Sequence, residues 1–202
     1  MLGKLAPLMS LSNLIQRAFG RSDQQAPAFS IPPVPADPEK HPERLAVLPY
    51  CSEGRGIDVG CGHRKSSEIC IGVDLVAGGD KGEHGVVAGQ VSQADVQASG
   101  DDLHMFSNGE LDFVVARHNL EHYVDVLKTL GEWKRVLKSG GKLAVILPDD
   151  RFVDTIALDP THKHVFTPDS FRRYMDGIGG FRELEVRDAV ERWSFLGAFE
   201  KL

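Results

Sequence analysis

Acidic residues and glycines follow apolar segments at intervals that suggest a site for a small ligand. The run Asp58-Val59-Gly60-Cys61-Gly62 ends one such segment. Its glycines permit a tight turn and a close backbone approach to a ligand, while Asp58 can accept from an ammonium or a turn amide. Asp74 ends the next segment, where a carboxylate can take both hydroxyls of a ribose. Asp95, followed by Val96, is expected to end a third segment and to accept from an adenine amino group.

Histidines form a second group with chemical potential. His118, Glu121 and His122 follow an apolar segment, and His162 and His164 lie in a later polar run. Imidazole titrates near neutral pH, so His162 or His164 is the candidate general base. The order His-x-x-Glu-His also occurs in inverted zinc peptidases, but there both histidines share one helix face. Because His118 is expected at a strand end, a protease is disfavoured.

The elements that must position these residues follow from the hydrophobic pattern. Apolar segments predict strands at 56–60, 69–75, 86–94, 111–116, 142–147, 182–190 and 193–199, and helical spacing predicts helices over 123–137 and 169–175. Strands that alternate with crossovers indicate an α/β, Rossmann-like fold: a mostly parallel seven-stranded sheet with an antiparallel C-terminal strand pair. Ligands of such sheets bind beyond the carboxyl ends of the strands.

The first 49 residues differ from the rest. Residues 1–22 have near-helical apolar spacing with three basic residues, which suits an amphipathic helix that contacts a membrane surface or a partner, or packs on its own domain. Residues 23–49 are rich in proline and are predicted to form an extended arm or linker. Residues 50–202 are predicted to form the domain.

Composition narrows the class of protein. The 202 residues, 42% of them hydrophobic, suit a soluble globular protein. No apolar run approaches the roughly 18 residues of a membrane span. The net charge of -6 disfavours general binding of nucleic acid. Three cysteines without metal or redox spacing predict reduced thiols and a cytoplasmic location.

Taken in order, the motifs resemble class I S-adenosylmethionine-dependent methyltransferases. The most specific match is Leu120-Glu121-His122 followed by the run 135–141, Arg-Val-Leu-Lys-Ser-Gly-Gly, in which Ser139 replaces the usual proline. The resemblance implies S-adenosylmethionine as cofactor, with the methionine end at the Asp58–Gly62 motif, the ribose at Asp74 and His118 beside the sulfonium. The implied cofactor-binding positions are Asp58, Gly60, Cys61, Gly62, Asp74, Leu75, Asp95, Val96 and His118.

One departure from the family pattern concerns the first crossover. Only Cys61 to Glu68 separate Gly60 from the second strand, too few for a crossover with a full helix. We expect that helix to be missing or reduced to one turn, with Arg64 and Lys65 supplying positive charge in its place. The short crossover resembles a compact subgroup of bacterial methyltransferases, some of them associated with surface-glycan pathways.

The acceptor and the alternatives follow from the remaining residues. No Asn-Pro-Pro-Tyr or Asp-Pro-Pro-Tyr follows the fourth strand, so a hydroxyl of a small or glycan-like acceptor is favoured over a base or glutamine nitrogen.

We predict no metal. The alternative is similar to the acid-x-x-Glu-His motif of small-RNA 2′-O-methyltransferases: His118, Glu121 and His122, with His162 or His164, would suit zinc, iron or manganese. Two rival functions are a nicotinamide-dependent oxidoreductase, disfavoured because Lys65 holds the third glycine position, and a non-catalytic binding domain.

Overall fold

The computed structural model describes residues 40–83 and 88–202. The predicted helix over residues 1–22, and residues 23–39 of the arm, lie outside this part of the chain. The described residues form one α/β domain, in which the site depends on a single sheet.

The sheet has seven strands in the order β3-β2-β1-β4-β5-β7-β6. The strands are β1 Gly56–Val59, β2 Ile71–Asp74, β3 Val96–Gln97, β4 Leu111–Arg117, β5 Leu137–Pro148, β6 Phe181–Val190 and β7 Ser194–Lys201. The first five pair in parallel, and β7 lies antiparallel between β5 and β6. The predicted fold class is confirmed. Since β1 pairs with both β2 and β4, Gly60, Asp74 and Arg117 reach the same edge of the sheet.

Helices cover the two faces of this sheet. They are α1 Pro42–Val47, α2 Val126–Val136, α3 Thr155–Leu158 and α4 Pro168–Ile178, with 3-10 helices at Leu48–Tyr50 and Leu120–His122. Alternate strand residues point to opposite faces. Val114 therefore joins Trp133 of α2 and Phe171 of α4 in the larger core. Val115 joins Val47 of α1 in the smaller one.

Residues 42–50 correct the predicted boundary of the arm. Pro42 stands at the start of α1, where its missing N–H costs nothing. Ala46 and Val47 are buried, so this part of the proline-rich segment packs against the sheet. The folded domain therefore begins before residue 50, because the prolines here lie at helix starts rather than within helices.

The third strand is also displaced from its predicted position. The described residues of 86–94 contain only isolated bridges, at Ala88 and Val91, and β3 follows at Val96–Gln97. Gly89 lies within this segment and weakens a strand there. As a result, Asp95 precedes β3 instead of ending it.

The first crossover lacks a helix, as its length predicted. Residues 60–70 form only turns and bends between β1 and β2.

Among the described residues, no helix is long and apolar enough to cross a membrane.

Candidate functional site

The turn after β1 is built by two glycines in the left-handed region. Gly60 has φ +69° and Gly62 has φ +54°. A Cβ on Gly60 would lie 2.2 Å from Asn119 Nδ2, so only glycine fits there. The Gly60 amide donates to the Val73 carbonyl at 2.8 Å, which ties the turn to β2. The Asn119 side chain therefore packs directly against the backbone of the turn.

Two aspartates predicted to bind the cofactor also hold the turn in place. Asp74 accepts from the amides of Gly62 at 2.8 Å and Val76 at 2.9 Å. Asp58 is buried and accepts from the Ser66 amide at 2.5 Å through one oxygen, while its other oxygen has no hydrogen-bond partner. Burial raises the pKa of Asp58, an effect that the nearby Arg117 opposes. Asp58 therefore keeps one free acceptor atom beneath the turn.

Three predicted cofactor positions flank Asp74 and the turn. Leu75 exposes 69% of its surface beside Asp74, so its side chain is open to a planar ring. Cys61 is buried, and burial raises the pKa of its thiol to about 12. Val96 is half-buried against the larger core. Leu75 alone of these three presents most of its surface to solvent.

Asp95 occupies a different place from the one predicted. It accepts from the Gly72 amide, within β2, at 2.8 Å. It also accepts from the ammonium of Lys65, which lies in the first crossover. In the turn after β3, the Ser99 hydroxyl donates to Asp101 Oδ1 at 2.5 Å. The premise that Asp95 ends the third strand is wrong, because that strand begins at Val96. The first acid beyond the carboxyl end of β3 is Asp101.

His118 leaves β4 in an unusual backbone conformation. Its φ is +49°, a region that non-glycine residues rarely adopt and that occurs often at functional sites. Its Nε2 lies 2.8 Å from Glu43 Oε1 of α1, and Glu43 also accepts from the Ser194 hydroxyl at 2.6 Å. Burial favours the neutral forms, yet the attraction between the two side chains prevails: the pKa of His118 rises to about 10 and that of Glu43 falls to about 2.

Glu121 lies at the centre of a group of histidines. It is fully buried, and neither of its carboxylate oxygens has a hydrogen-bond partner. Its Oε1 lies 3.7 Å from His118 Nδ1 and 3.9 Å from His162 Nε2. The rings of His122 and His162 meet edge to face at 4.7 Å. His118, Glu121, His122 and His162 are hereafter called the histidine cluster.

The two candidate bases are separated by the fold. His162 belongs to the histidine cluster, whereas the Nε2 of His164 lies 3.1 Å from the Val124 carbonyl. The backbone amides of Lys163 and His164 donate to the Glu121 carbonyl, which fastens this loop over the 3-10 helix. His164 is therefore a structural contact of the loop, and His162 is the histidine turned toward Glu121.

A cationic cavity of about 360 Å³ adjoins the glycine turn. Its lining residues are Arg44, Arg64, Lys65, Ser67, Glu68, Gln93 and Arg117. The Arg117 guanidinium donates to the Arg64 carbonyl at 2.6 Å, and its buried Nε has no partner. Burial and the charge of Arg117 lower the pKa of Arg64. The cavity, called the cationic cavity below, therefore favours an anionic group.

Sequence reasoning missed Glu43, Arg117 and Asp101. Glu43 lies 75 residues before His118 in a proline-rich segment, so no local spacing connects the two. Arg117 immediately precedes His118, and its position at the end of β4 was the available signal. Asp101 becomes recognisable only once β3 is placed correctly.

Comparisons with known proteins identify the domain. Residues 57–145 match the family model described as a methyltransferase domain. These residues belong to the class I S-adenosylmethionine-dependent methyltransferases. The glycine turn, Asp74 and the Leu120-Glu121-His122 run all fall within the match, so the methyltransferase domain includes the candidate site. The family indicates S-adenosylmethionine as its cofactor.

One curated protein is similar to this chain in sequence. An uncharacterized protein of Methanocaldococcus jannaschii is 31% identical over 129 residues, which cover 62% of this chain and 60% of that protein. The chain thus spans about 60% of the length of this curated relative.

Solved methyltransferase structures share the fold. A methyltransferase of Thermotoga maritima, described as a possible histamine N-methyltransferase, matches with a TM-score of 0.57 at 19% identity, over 79% of this chain and 86% of its own. One from Archaeoglobus fulgidus matches with a TM-score of 0.55 at 15% identity, over 78% and 92%.

Proposed function

We propose that this methyltransferase transfers a methyl group from S-adenosylmethionine to a hydroxyl of a small or glycan-like acceptor. The observation that carries the proposal is the histidine cluster, which stands at the same sheet edge as the glycine turn and Asp74. A sulfonium held at the turn would place its methyl group near this cluster, in which the His162 imidazole can take a proton from an attacking hydroxyl. Alignment of oxygen, methyl carbon and sulfur would supply most of the rate enhancement.

The proposed cofactor pose uses the residues at the carboxyl ends of β1, β2 and β3. The ribose hydroxyls bind Asp74, whose oxygens retain lone pairs beyond the two amides they accept. The adenine ring lies against Leu75, toward the residues that follow β3. The amino group of the methionine end reaches the glycine turn, above the free oxygen of Asp58.

The methionine carboxylate is proposed to enter the cationic cavity. In the absence of a first-crossover helix, no helix N-terminus is present there to stabilise an anion. Arg64, Lys65 and Arg117 supply the positive charge instead, and guanidinium groups match the geometry of a carboxylate.

The choice of a hydroxyl rests on the groups that follow β4. The chain continues as Arg117-His118-Asn119-Leu120, without the proline-containing motif that holds planar amides and bases. His162, the candidate base in the cluster, exposes 11% of its side chain. The three cysteines are buried free thiols, which supports the proposal that the protein works in the reducing cytoplasm.

Calorimetric titration with S-adenosylhomocysteine is the first test. Wild type is expected to bind near the micromolar range, about −8 kcal/mol. Asp74→Asn should weaken binding by tenfold or more because it removes the charge that the ribose hydroxyls contact, whereas the exposed Asp176→Asn should bind as wild type does. Thermal melts establish that both variants fold.

Transfer of labelled methyl groups then tests the acceptor. Hydroxyl compounds, including monosaccharides and glycans, are compared with matched amines. Label on hydroxyls supports the proposal, while label only on amines overturns the choice of acceptor. Binding of NAD without S-adenosylhomocysteine would support an oxidoreductase, and binding of neither would support a non-catalytic domain.

A further inference from the structure

The strongest unexplained feature of the structure is the buried Glu121 carboxylate. Its exposure is 0%, and both oxygens lack a hydrogen-bond donor. His118 approaches to 3.7 Å, which is beyond hydrogen-bond distance. An ionised carboxylate removed from water in this way costs several kcal/mol unless a cation or donors compensate it. His118, whose pKa is raised to about 10, supplies positive charge at 3.7 Å, but among the described residues no donor lies within hydrogen-bond distance of either Glu121 oxygen.

Two histidines complete a set of metal ligands around this carboxylate. Glu121, His122 and His162 each offer one ligand atom, and these atoms lie within 4.8 Å of one another. His162 Nε2 is 3.9 Å from Glu121 Oε1. Ligands about 2.0–2.1 Å from a tetrahedral zinc ion stand roughly 3.3 Å apart. The ligand atoms would therefore need to approach one another by up to about 1.5 Å around an ion.

Hydrogen bonds orient His122 as a ligand rather than as a donor. The Thr161 hydroxyl donates to Asp159 Oδ1 at 2.6 Å, so it can only accept from the Nδ1–H of His122, 3.1 Å away. His122 Nε2 is then left with its lone pair. Histidines that bind a metal usually donate their other ring N–H to a neighbouring acceptor, which fixes the tautomer in this way.

We propose that Glu121, His122 and His162 bind a divalent transition-metal ion. Imidazole and carboxylate together suit zinc, iron, cobalt or manganese, and three protein ligands leave a coordination position open. His118, held by Glu43, lies 3.7 Å from the same carboxylate oxygen. Zinc sites with two histidines and one glutamate have this composition when they are catalytic.

The chemical role of the ion rests on the proposed function, but its binding does not. An acceptor hydroxyl that occupies the open position would lose its proton to water more readily, because the ion lowers its pKa. The oxygen–methyl bond then forms as the methyl–sulfur bond breaks, and S-adenosylhomocysteine is released. The ion thus supplies the hydroxyl activation assigned above to the histidine cluster.

Titration of the chelator-treated full chain with Co²⁺ alone tests the site. Wild type is expected to bind one ion per chain, with visible d–d absorption, and Zn²⁺ should displace it. Glu121→Gln and His162→Gln should each weaken Co²⁺ binding more than about tenfold. Substitution of a residue that only hydrogen-bonds to a metal ligand can already cause a loss of about tenfold. His164→Gln is the matched control, since His164 lies in the same loop but contacts Val124, and it should bind Co²⁺ as wild type does.

Stability of the metal-free variants supplies a second measurement. Glu121→Gln keeps the shape of the side chain and removes its buried charge. Without metal, the melting temperature of this variant should therefore equal or exceed that of wild type. Zn²⁺ should raise the melting temperature of the variant less than that of wild type. If Glu121→Gln does not fold, His162→Gln on the loop gives the same comparison. Absence of Co²⁺ absorption in wild type, or equal affinity in wild type and both ligand variants, overturns the proposal.

The same metal-free sample, titrated with S-adenosylhomocysteine, separates the two proposals. Cofactor binding without Co²⁺ binding overturns the metal site alone. Co²⁺ binding without cofactor binding overturns the proposed function and leaves the metal site in place.

Discussion

Individual residues at the end of β4 divide the site into two charged regions. Arg117 points into the cationic cavity, and His118, the next residue, turns to Glu43 and Glu121. Successive residues of an extended strand face opposite sides, and the positive φ of His118 marks the point where the chain leaves β4. One short segment therefore borders both the proposed place of the methionine carboxylate and the proposed place of the acceptor.

The role of Arg117 can be measured with two ligands. Arg117→Ala should weaken S-adenosylhomocysteine binding by about tenfold or more, because it removes a charge-assisted contact to the carboxylate. Binding of methylthioadenosine, which has no carboxylate, should change little. Arg117→Lys should retain part of the affinity. Equal losses for both ligands in calorimetry would contradict this role and indicate a general distortion of the turn.

Gly60 should be intolerant of a side chain. Gly60→Ala combines a φ of +69° with a contact of 2.2 Å to Asn119, whereas Gly79→Ala meets only an unfavourable φ of +90°, with nothing within 4 Å. We expect Gly60→Ala to lower the free energy of unfolding by about 2 kcal/mol or more and to weaken cofactor binding. Gly79→Ala should cost less and leave binding unchanged. Chemical denaturation and calorimetry compare the two.

At the scale of elements, the methyltransferase domain replaces its first crossover helix with a short loop and lets other elements cover the sheet. Asp58 holds the loop through Ser66, and α1 covers the neighbouring strands with Ala46 and Val47. The loop leaves space in which Arg64 and Lys65 face Arg117. A missing helix therefore creates the cationic cavity.

The helix α4 depends on its N-terminal cap. The Thr167 side chain accepts from the Ser170 amide at 3.1 Å, and the Ser170 hydroxyl accepts from the Thr167 amide at 2.8 Å. Thr167→Ala should reduce the free energy of unfolding by about 1 kcal/mol, because an N-terminal amide loses its partner. Thr167→Ser keeps the oxygen and should cost little. A loss in urea denaturation that is equal for both variants would argue against the capping role.

At the scale of the whole molecule, the described residues enclose all three cysteines. Cys51, Cys61 and Cys70 are buried free thiols distributed between the smaller core and the turn. Burial raises the pKa of Cys61 to about 12, so little reactive thiolate is present at neutral pH. Alkylation therefore reports on opening of the fold.

We expect iodoacetamide to modify the native protein slowly and the unfolded protein quickly at neutral pH. S-adenosylhomocysteine at 100 times its Kd should slow modification further, since it stabilises the folded state by about 2.7 kcal/mol. Mass spectrometry of the cysteine peptides over time is the measurement. Fast labelling of Cys61 in the native protein would contradict its burial.

The sequence predicted much of the fold because parallel strands leave local signatures. Apolar runs located β1, β2 and β4, and the eight residues from Cys61 to Glu68 between the first two predicted strands predicted the missing helix. The prediction failed for β3, since a strand of two residues has no periodicity of its own. It also failed for α1, where prolines at helix starts resemble those of a linker.

The sequence by itself determined the methyltransferase family, the sheet and the chemical types at the carboxyl ends of its strands. Those features depend on residues close together in the chain. Only the tertiary structure decided which candidates meet: Glu43 with His118, Asp95 with Lys65, and Glu121 with His162 rather than His164. These contacts arise between segments that sheet register and loop closure bring together, and spacing along the chain carries no information about them.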